Sequence, residues 1–360
     1  MHTLFNIINI PLGYVLRFLA EILNNHFASA VAVFTLLINL VLIPISIKSQ
    51  KSSVQQMRIK PKLDELKKRY GDDRQKMAEA QQKLYQDEGV SMSGGCLPMI
   101  IRLVIMMSIY WLILSPLTYM ANVDSADIDT VHTAIVETLD DYKENDKAMY
   151  DKYVKELDWG SRSTTNKDLA IISIIRNNPT AVKEMMPAEK YAKIADSYER
   201  IVEKDKDVNI NFYLFGNKQL DLTKTPKFSF NIFKDAQLLW LIPIGAFLAP
   251  ILTSLISMKI NKINNPGTPS MAGMMLTMPL ISLFIGFGLP GGVGFYWICS
   301  SLIGGLIQAG VQFWYGPKKM LARERAKELS KECDFETKQL KKFNHSESMI
   351  KDRLGRSFLE

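Results

Sequence analysis

Histidine and cysteine are scarce in this chain, four and three copies in 360 residues, and its long apolar stretches contain no Asp or Glu. None of His2, His26, His132 and His345 falls inside those stretches. Hydrolysis within an apolar layer needs a carboxylate pair, a metal cluster or a nucleophile beside a base, and Ser300 and Ser301 have no base in view. The sequence therefore predicts no catalytic residue, no metal site and no cofactor, and it does not read as an enzyme. Cys96, Cys299 and Cys333 are odd in number and far apart, and residues 122–236 contain no cysteine. That excludes a disulfide framework. Buried carboxylates and inverted repeats, on which coupled transport usually relies, are not visible either. Ala28-Ser29-Ala30 resembles a signal-peptidase site, but Arg17, Glu21 and Asn24-Asn25-His26 precede it without a basic leader, so the N-terminus is expected to be retained.

What is present is charge segregated from apolar sequence. Charged residues nearly vanish from Ala28–Ile47, Cys96–Ala121, Leu238–Ser257 and Met271–Trp314. Each of the first three blocks is long enough to cross a hydrocarbon core of about 30 Å at about 1.5 Å per residue, and the fourth is long enough to cross twice. A purely soluble protein is ruled out. The net charge of +7 is unevenly spread: residues 48–93 hold eleven Lys/Arg against seven Asp/Glu, 122–236 seventeen against twenty-one, and 316–360 twelve against eight. With Lys259 and Lys262 in a further short loop, this alternation predicts a multi-pass protein with its N-terminus outside and its C-terminus inside. The basic segments would meet anionic lipid or RNA at the inner face, or simply set topology.

The expected architecture is all-α: a polytopic membrane protein with five transmembrane helices. Residues 1–27 read as an interfacial amphipathic helix, 28–47 as the first span and 48–93 as a cytoplasmic helical hairpin. The second span is 94–121, followed by a mostly helical extracytoplasmic insertion over 122–236. The remaining spans are 237–257, 271–289 and 293–315, with a loop over 258–270 and a basic cytoplasmic tail over 316–360. In the hairpin, Leu63, Leu66 and Tyr70 share one helical face and Met77, Ala80 and Leu84 another. Gly71 should end the first arm, Asp72 or Asp73 should cap the second, and Pro61 should start or kink the longer part of the first. Within the insertion, 140–157 and 187–204 read as helices and 209–222 as extended, while the tail should lose its order after a charged helix.

Several motifs carry a resemblance. Pro11-Leu12-Gly13 opens the interfacial helix, and Thr35 to Ser46 forms a polar-flecked span with a terminal proline. Leu84-Tyr85 and Gly94-Gly95-Cys96-Leu97-Pro98 close the hairpin, and Leu289-Pro290-Gly291-Gly292 precedes Phe295-Tyr296-Trp297. Over roughly 11–121 and 210–315 the chain resembles the YidC family of membrane-protein insertases, in the short form without a large domain before the first core span. The resemblance implies a hydrophilic groove holding a positive charge, a bacterial cell-membrane location, nascent membrane proteins as clients, and the Sec translocon and ribosome as partners. Two departures stand out. The 122–209 insertion is long for that family, and the arginine it usually carries five residues before the first-span proline is here Asn39, while Arg102 takes the place of a glutamine on the next span.

An intramembrane cation costs about 2.5–3.5 kcal/mol on insertion scales, so Arg102 should either snorkel to the interface or face a wet cavity. The expected groove comprises Arg102, Asn39, Thr35, Ser108, Ser300 and Ser301. Met99, Met106, Met107, Met274, Met275 and Met278, with Tyr296 and Trp297, would give clients a yielding apolar wall, or else fill the bundle core. Lys318, Lys319, Arg323, Arg325 and Lys327 would touch ribosomal RNA or lipid. A monomer bound to the lipid bilayer would suffice. A secondary transporter or channel, or a non-inserting paralogue acting as a structural partner, stand as alternatives.

Overall fold

The computed structural model describes residues 2–71, 73–89, 97–157, 159, 166–226, 228–229, 237–264 and 272–357. Among them the helices are, in order, α1 (His2–Ile22), α2 (Phe27–Val41), α3 (Ile43–Tyr70), α4 (Arg74–Asp87), α5 (Leu97–Leu114) and α6 (Pro116–Tyr119). Those of the insertion are α7 (Ser125–Asn145), α8 (Lys147–Glu156), α9 (Lys167–Asn177), α10 (Ala181–Met185) and α11 (Ala188–Val208). Then come α12 (Leu241–Asn264), α13 (Ala272–Gly286), α14 (Gly291–Trp314) and α15 (Pro317–Ser357). The chain forms two units. The first comprises residues 1–46, 96–259 and 269–310; the second comprises 47–95, 260–268 and 311–360.

Glycines fix the packing of the apolar helices in the first unit. A Cβ added at Gly294 would lie 2.5 Å from Ile242, and one at Gly305 would lie 2.5 Å from Thr253. The two contacts are eleven residues apart on each helix, so α12 and α14 run parallel in fixed register. Phe27 lies beside Gly292 and Asn39 beside Gly304, which sets α2 in the same direction. Ile113 at the end of α5 meets Gly292, and Gly286 at the end of α13 meets Pro243. The starts of α2, α12 and α14 therefore gather with the ends of α5 and α13. Small residues permit such approach where a larger side chain would force the backbones apart.

The outward faces of these helices are apolar. On α12, Leu241, Ile244, Leu248, Leu252 and Leu255 are exposed, while Ile242, Ala246, Ala249 and Thr253 are buried. Leu36, Leu37, Leu40 and Val41 of α2 and Leu280, Ile281, Phe284 and Ile285 of α13 are likewise exposed. Such stripes are unfavourable in water and ordinary against lipid. Among the described residues, Leu238–Ile260 and Gly291–Trp314 are each long and apolar enough to cross a membrane. Phe27–Val41 with Ile43–Ser52 would make a third, bent by 49°, and Leu103–Leu114 is a shorter apolar helix.

That bend falls within the first span expected over 28–47. Pro44 has no N–H to bond the Leu40 carbonyl, and its ring crowds that oxygen. Pro61 neither starts nor ends a helix; it lies inside α3, which continues to Tyr70. In the second unit Asp73 caps α4 by accepting from Gln75 N at 3.2 Å and Lys76 N at 3.1 Å. An exposed Lys62–Glu88 pair joins the two arms. The tail remains helical to Ser357, in keeping with its many Lys, Glu and Leu residues, rather than losing order. Helix formation across 140–157 is interrupted at Asp146, whose carboxylate caps α8 through Met149 N at 3.1 Å.

The insertion shares one continuous core with the apolar helices. Ile128, Val131, Ile135 and Leu139 of α7 pack with Leu169, Ile172 and Ile175 of α9 and Ile194, Tyr198 and Ile201 of α11. Three tyrosine hydroxyls donate to backbone carbonyls in and before α10: Tyr142 to Met185 at 2.7 Å, Tyr153 to Glu184 at 3.2 Å and Tyr198 to Pro179 at 2.8 Å. Asp168 joins the start of α9 to α6. Its carboxylate accepts from Thr118 N at 2.9 Å and Thr118 Oγ1 at 3.1 Å, which caps the short α6 from a distant segment. α1 meets α6 through Tyr119, whose hydroxyl donates to Asn6 at 2.9 Å, and through Gly13, where an added Cβ would lie 2.6 Å from the Tyr119 carbonyl.

Burial pushes the Asp168 carboxyl up to about 6, although the bonds from Thr118 pull the other way. Because the folded value exceeds the unfolded one, the ionised form weakens the fold. This contribution is fully present below about pH 4 and lost as pH rises through about 6, a span on the order of 2–3 kcal/mol. Asp168→Asn should remove that part of the pH dependence. Thermal unfolding in nanodiscs should show the native chain gaining stability between pH 7 and pH 5 and the variant gaining less.

Candidate functional site

Polar side chains within the apolar helices collect along α2 and α14. Thr35 is buried and donates from Oγ1 to the Val31 carbonyl at 2.6 Å. One turn on, Asn39 is half-buried and donates from Nδ2 to the Thr35 carbonyl at 2.8 Å. Its amide donor is thus spent on its own helix, while its oxygen is directed at α14, 3.0 Å from where a Gly304 Cβ would stand. Ser300 and Ser301 are half-buried one turn before Gly304 and Gly305, on the same two helical faces. Gly305 receives Thr253, whose hydroxyl is bonded to the Ala249 carbonyl at 3.1 Å and the Pro250 carbonyl at 3.2 Å. The result is a polar strip in which the α2 side presents an amide and the α14 side presents backbone and small hydroxyls.

Ser108 of α5 is fully buried, and its hydroxyl has no hydrogen-bond partner among the described residues. An unpaired hydroxyl in an apolar setting is costly. The helix carrying Arg102 is described but its side chain is not, and the expected placement of the Arg102 guanidinium lies outside the described residues. The side chains of Met99, Met274, Met275, Met278 and Lys318 lie outside them as well.

The other expected residues divide by environment. Met106 is exposed and Met107 half-buried. Tyr296 belongs to the packed core with Val293 and Ile242 rather than to an open wall, and Trp297 is packed against that core. Lys319 is held locally: its ammonium donates to the Phe313 carbonyl at 3.0 Å and sits 4.4 Å from that ring's centre, serving the end of α14. Arg323, Arg325 and Lys327 are exposed on α15. Thr253, Gly304 and Gly305 escaped the sequence reading. The spacing Ser301, Gly305, Ala309, small residues four apart in an apolar helix, was the signal that could have found them.

One end of this strip is closed by residues 210–224. Asn211 donates to the Asn25 carbonyl at 2.7 Å and accepts from Phe27 N at 2.9 Å, at the start of α2. The Leu222 carbonyl accepts from Gly292 N at 2.7 Å and the Lys224 carbonyl from Gly291 N at 2.8 Å, at the start of α14. Phe212 packs against Phe27 with ring centroids 4.7 Å apart and planes tilted by 47°, and lies beneath Arg176, which also bonds the Ile210 carbonyl and the Asp205 carboxylate. The segment expected to be extended over 209–222 thus makes isolated bridges, His26 to Asn211 and Tyr213 to Asp221, rather than a sheet.

The family model described as "60Kd inner membrane protein" matches residues 18–317. The chain belongs to that family. Similar curated proteins carry the name "Membrane protein insertase YidC". One from Alkalihalophilus pseudofirmus is 40% identical over 111 residues, covering 29% of this chain and 44% of that protein. One from Haemophilus ducreyi is 42% identical over 102 residues, covering 28% and 19%. Another, from Methylobacillus flagellatus, is 34% identical over 108 residues, covering 30% and 19%. The matched stretches therefore span less than half the length of these relatives. Family membership and the exposed apolar helices together make this an integral membrane protein of a bacterial membrane.

The close approach of Asn39 and Gly304 gives a direct check. With cysteines at both positions, copper-phenanthroline oxidation in native membranes should cross-link α2 to α14 in high yield. Val41, exposed on the outer face of α2, paired with the same position should give almost none.

Proposed function

We propose that the protein is a membrane-protein insertase, which takes nascent membrane proteins from the cytoplasm through a polar groove into the bilayer. The observation that carries this reading is the Thr35–Asn39 strip, with Asn39 seated against Gly304 of α14 in a bundle whose outer faces are apolar. Polar groups lining one seam lower the cost of bringing a hydrophilic client segment part-way into the membrane, where each charge would otherwise cost about 2.5–3.5 kcal/mol.

In this scheme α2, α5, α12, α13 and α14 are five spans, with the N-terminus outside and the C-terminus inside. Residues 210–224 seal the outer end of the seam, so a client enters from the cytoplasmic end. Arg102, near the start of α5, would attract acidic residues of the client segment. The client's apolar helix then leaves sideways into lipid along α12 and α14, driven by transfer of apolar surface out of water. No bond is made or broken. The α3–α4 hairpin would receive clients alone or from the Sec translocon, and Arg323, Arg325 and Lys327 of α15 would approach the ribosome. The protein would act as a monomer.

Purified protein in liposomes, supplied with a small client whose translocated segment is acidic, tests the reading. Insertion should proceed without ion current. Arg102→Ala should lower the yield roughly tenfold, the scale of one charge interaction in a partly hydrated site, and Asn39→Arg should restore it. Substrate-coupled current with no insertion would instead identify a transporter.

A further inference from the structure

The turn joining Tyr213 to Leu220 holds a phenylalanine in an unusual setting. Phe215 has φ 54° and ψ 26°, and Gly216 follows with φ 70°, so two successive residues are left-handed. Glycine adopts this conformation freely, whereas a phenylalanine is strained in it. The turn is nevertheless well fixed: Leu214 N donates to the Leu220 carbonyl at 3.0 Å, Asn217 N to the Leu214 carbonyl at 3.1 Å and Gln219 N to Asn217 Oδ1 at 2.9 Å. It holds the Phe215 side chain 91% exposed. The fold draws no packing from this ring and bears strain to present it.

Its position says what the ring meets. Asn211 is bonded to the first residue of α2, and four residues of chain reach at most about 14 Å, so the tip stays close to the plane where the apolar helices begin. Exposed apolar side chains mark the same plane: Ile22 at the end of α1 and Leu241 at the start of α12. Lys218, three residues beyond the ring, is exposed beside it. Phenylalanine on a surface-lying segment buries its ring at the boundary between headgroups and acyl chains, and lysine suits the phosphates just above it. We propose that Phe215 is a rigid membrane anchor, its ring set into the interfacial layer of the leaflet on the insertion side and Lys218 against lipid phosphate. The anchor holds residues 210–224 down over the starts of α2 and α14. It rests on the bilayer placement of the apolar helices and not on client insertion.

The test places a nitroxide at Phe215→Cys in the full-length Cys333→Ser chain. The protein is reconstituted in vesicles of phosphatidylcholine and phosphatidylglycerol, and Glu144→Cys, exposed on α7, serves as the aqueous control. Signal from label on the remaining cysteines is subtracted using the Cys333→Ser parent. At position 215, collisions with oxygen should exceed those with a water-soluble nickel chelate, and the order should reverse at 144. Equal nickel accessibility at the two positions would place the ring in water and overturn the proposal. A label shielded from both reagents would place it in a protein pocket and overturn it equally. Because Phe215 makes no core contact, its replacement should leave the chain folded, as unchanged thermal unfolding would verify.

Discussion

A helix that begins at the edge of a hydrocarbon layer brings N–H groups that no preceding turn can satisfy. In this protein residues 210–224 meet that requirement for two helices together, with the Asn211 carbonyl serving Phe27 and those of Leu222 and Lys224 serving Gly292 and Gly291. The glycines at the start of α14 are part of the same arrangement. Gly291 and Gly292 lie within van der Waals reach of Leu222, so side chains there would push the donors away from their acceptors. The relative placement of α2 and α14, and with it the polar seam between them, follows from this one set of backbone bonds.

The insertion gains a mechanical meaning from its connection to the same segment. Arg176 links the end of α9 to Asp205 of α11, to the Ile210 carbonyl and to the Phe212 ring, while Asp168 at the start of α9 holds Thr118 of α6, the short helix that follows α5. The helical insertion thus braces residues 210–224 against a second apolar helix. In the proposed route, closing the seam at this end would leave the strip of Thr35 and Asn39 to open at the other.

Much of the architecture is written in local pattern. Uncharged blocks mark the apolar helices, and the spacing of Ile128, Val131, Ile135 and Leu139 marks a helix with one buried face. Thr35 and Asn39 stand out as polar residues in an apolar block, which is why half of the seam was legible. The facing half was legible only at Ser300 and Ser301. Gly304 and Gly305 take their meaning only from Asn39 and Thr253, which are distant in sequence, and a glycine in an apolar helix looks the same whether or not a neighbour fills its place. Asp168 is similarly silent: one aspartate among many in a polar segment, until its bond to Thr118 fifty residues away gives it a role. The break at Asp146 was readable as a capping residue, but the amphipathic pattern on both sides of it masked the interruption.

The central claim is that the seam between α2 and α14 is hydrated, whereas the outer face of α2 is not. The most direct measurement is alkylation of single cysteines by a membrane-impermeant maleimide, applied from each side of sealed vesicles. One cysteine replaces Asn39 in the seam and the other replaces Leu37 on the exposed apolar face. The account predicts that position 39 reacts from the side opposite the insertion and that position 37 reacts from neither. Equal inertness at both positions would mean that the strip is dry, and would contradict it.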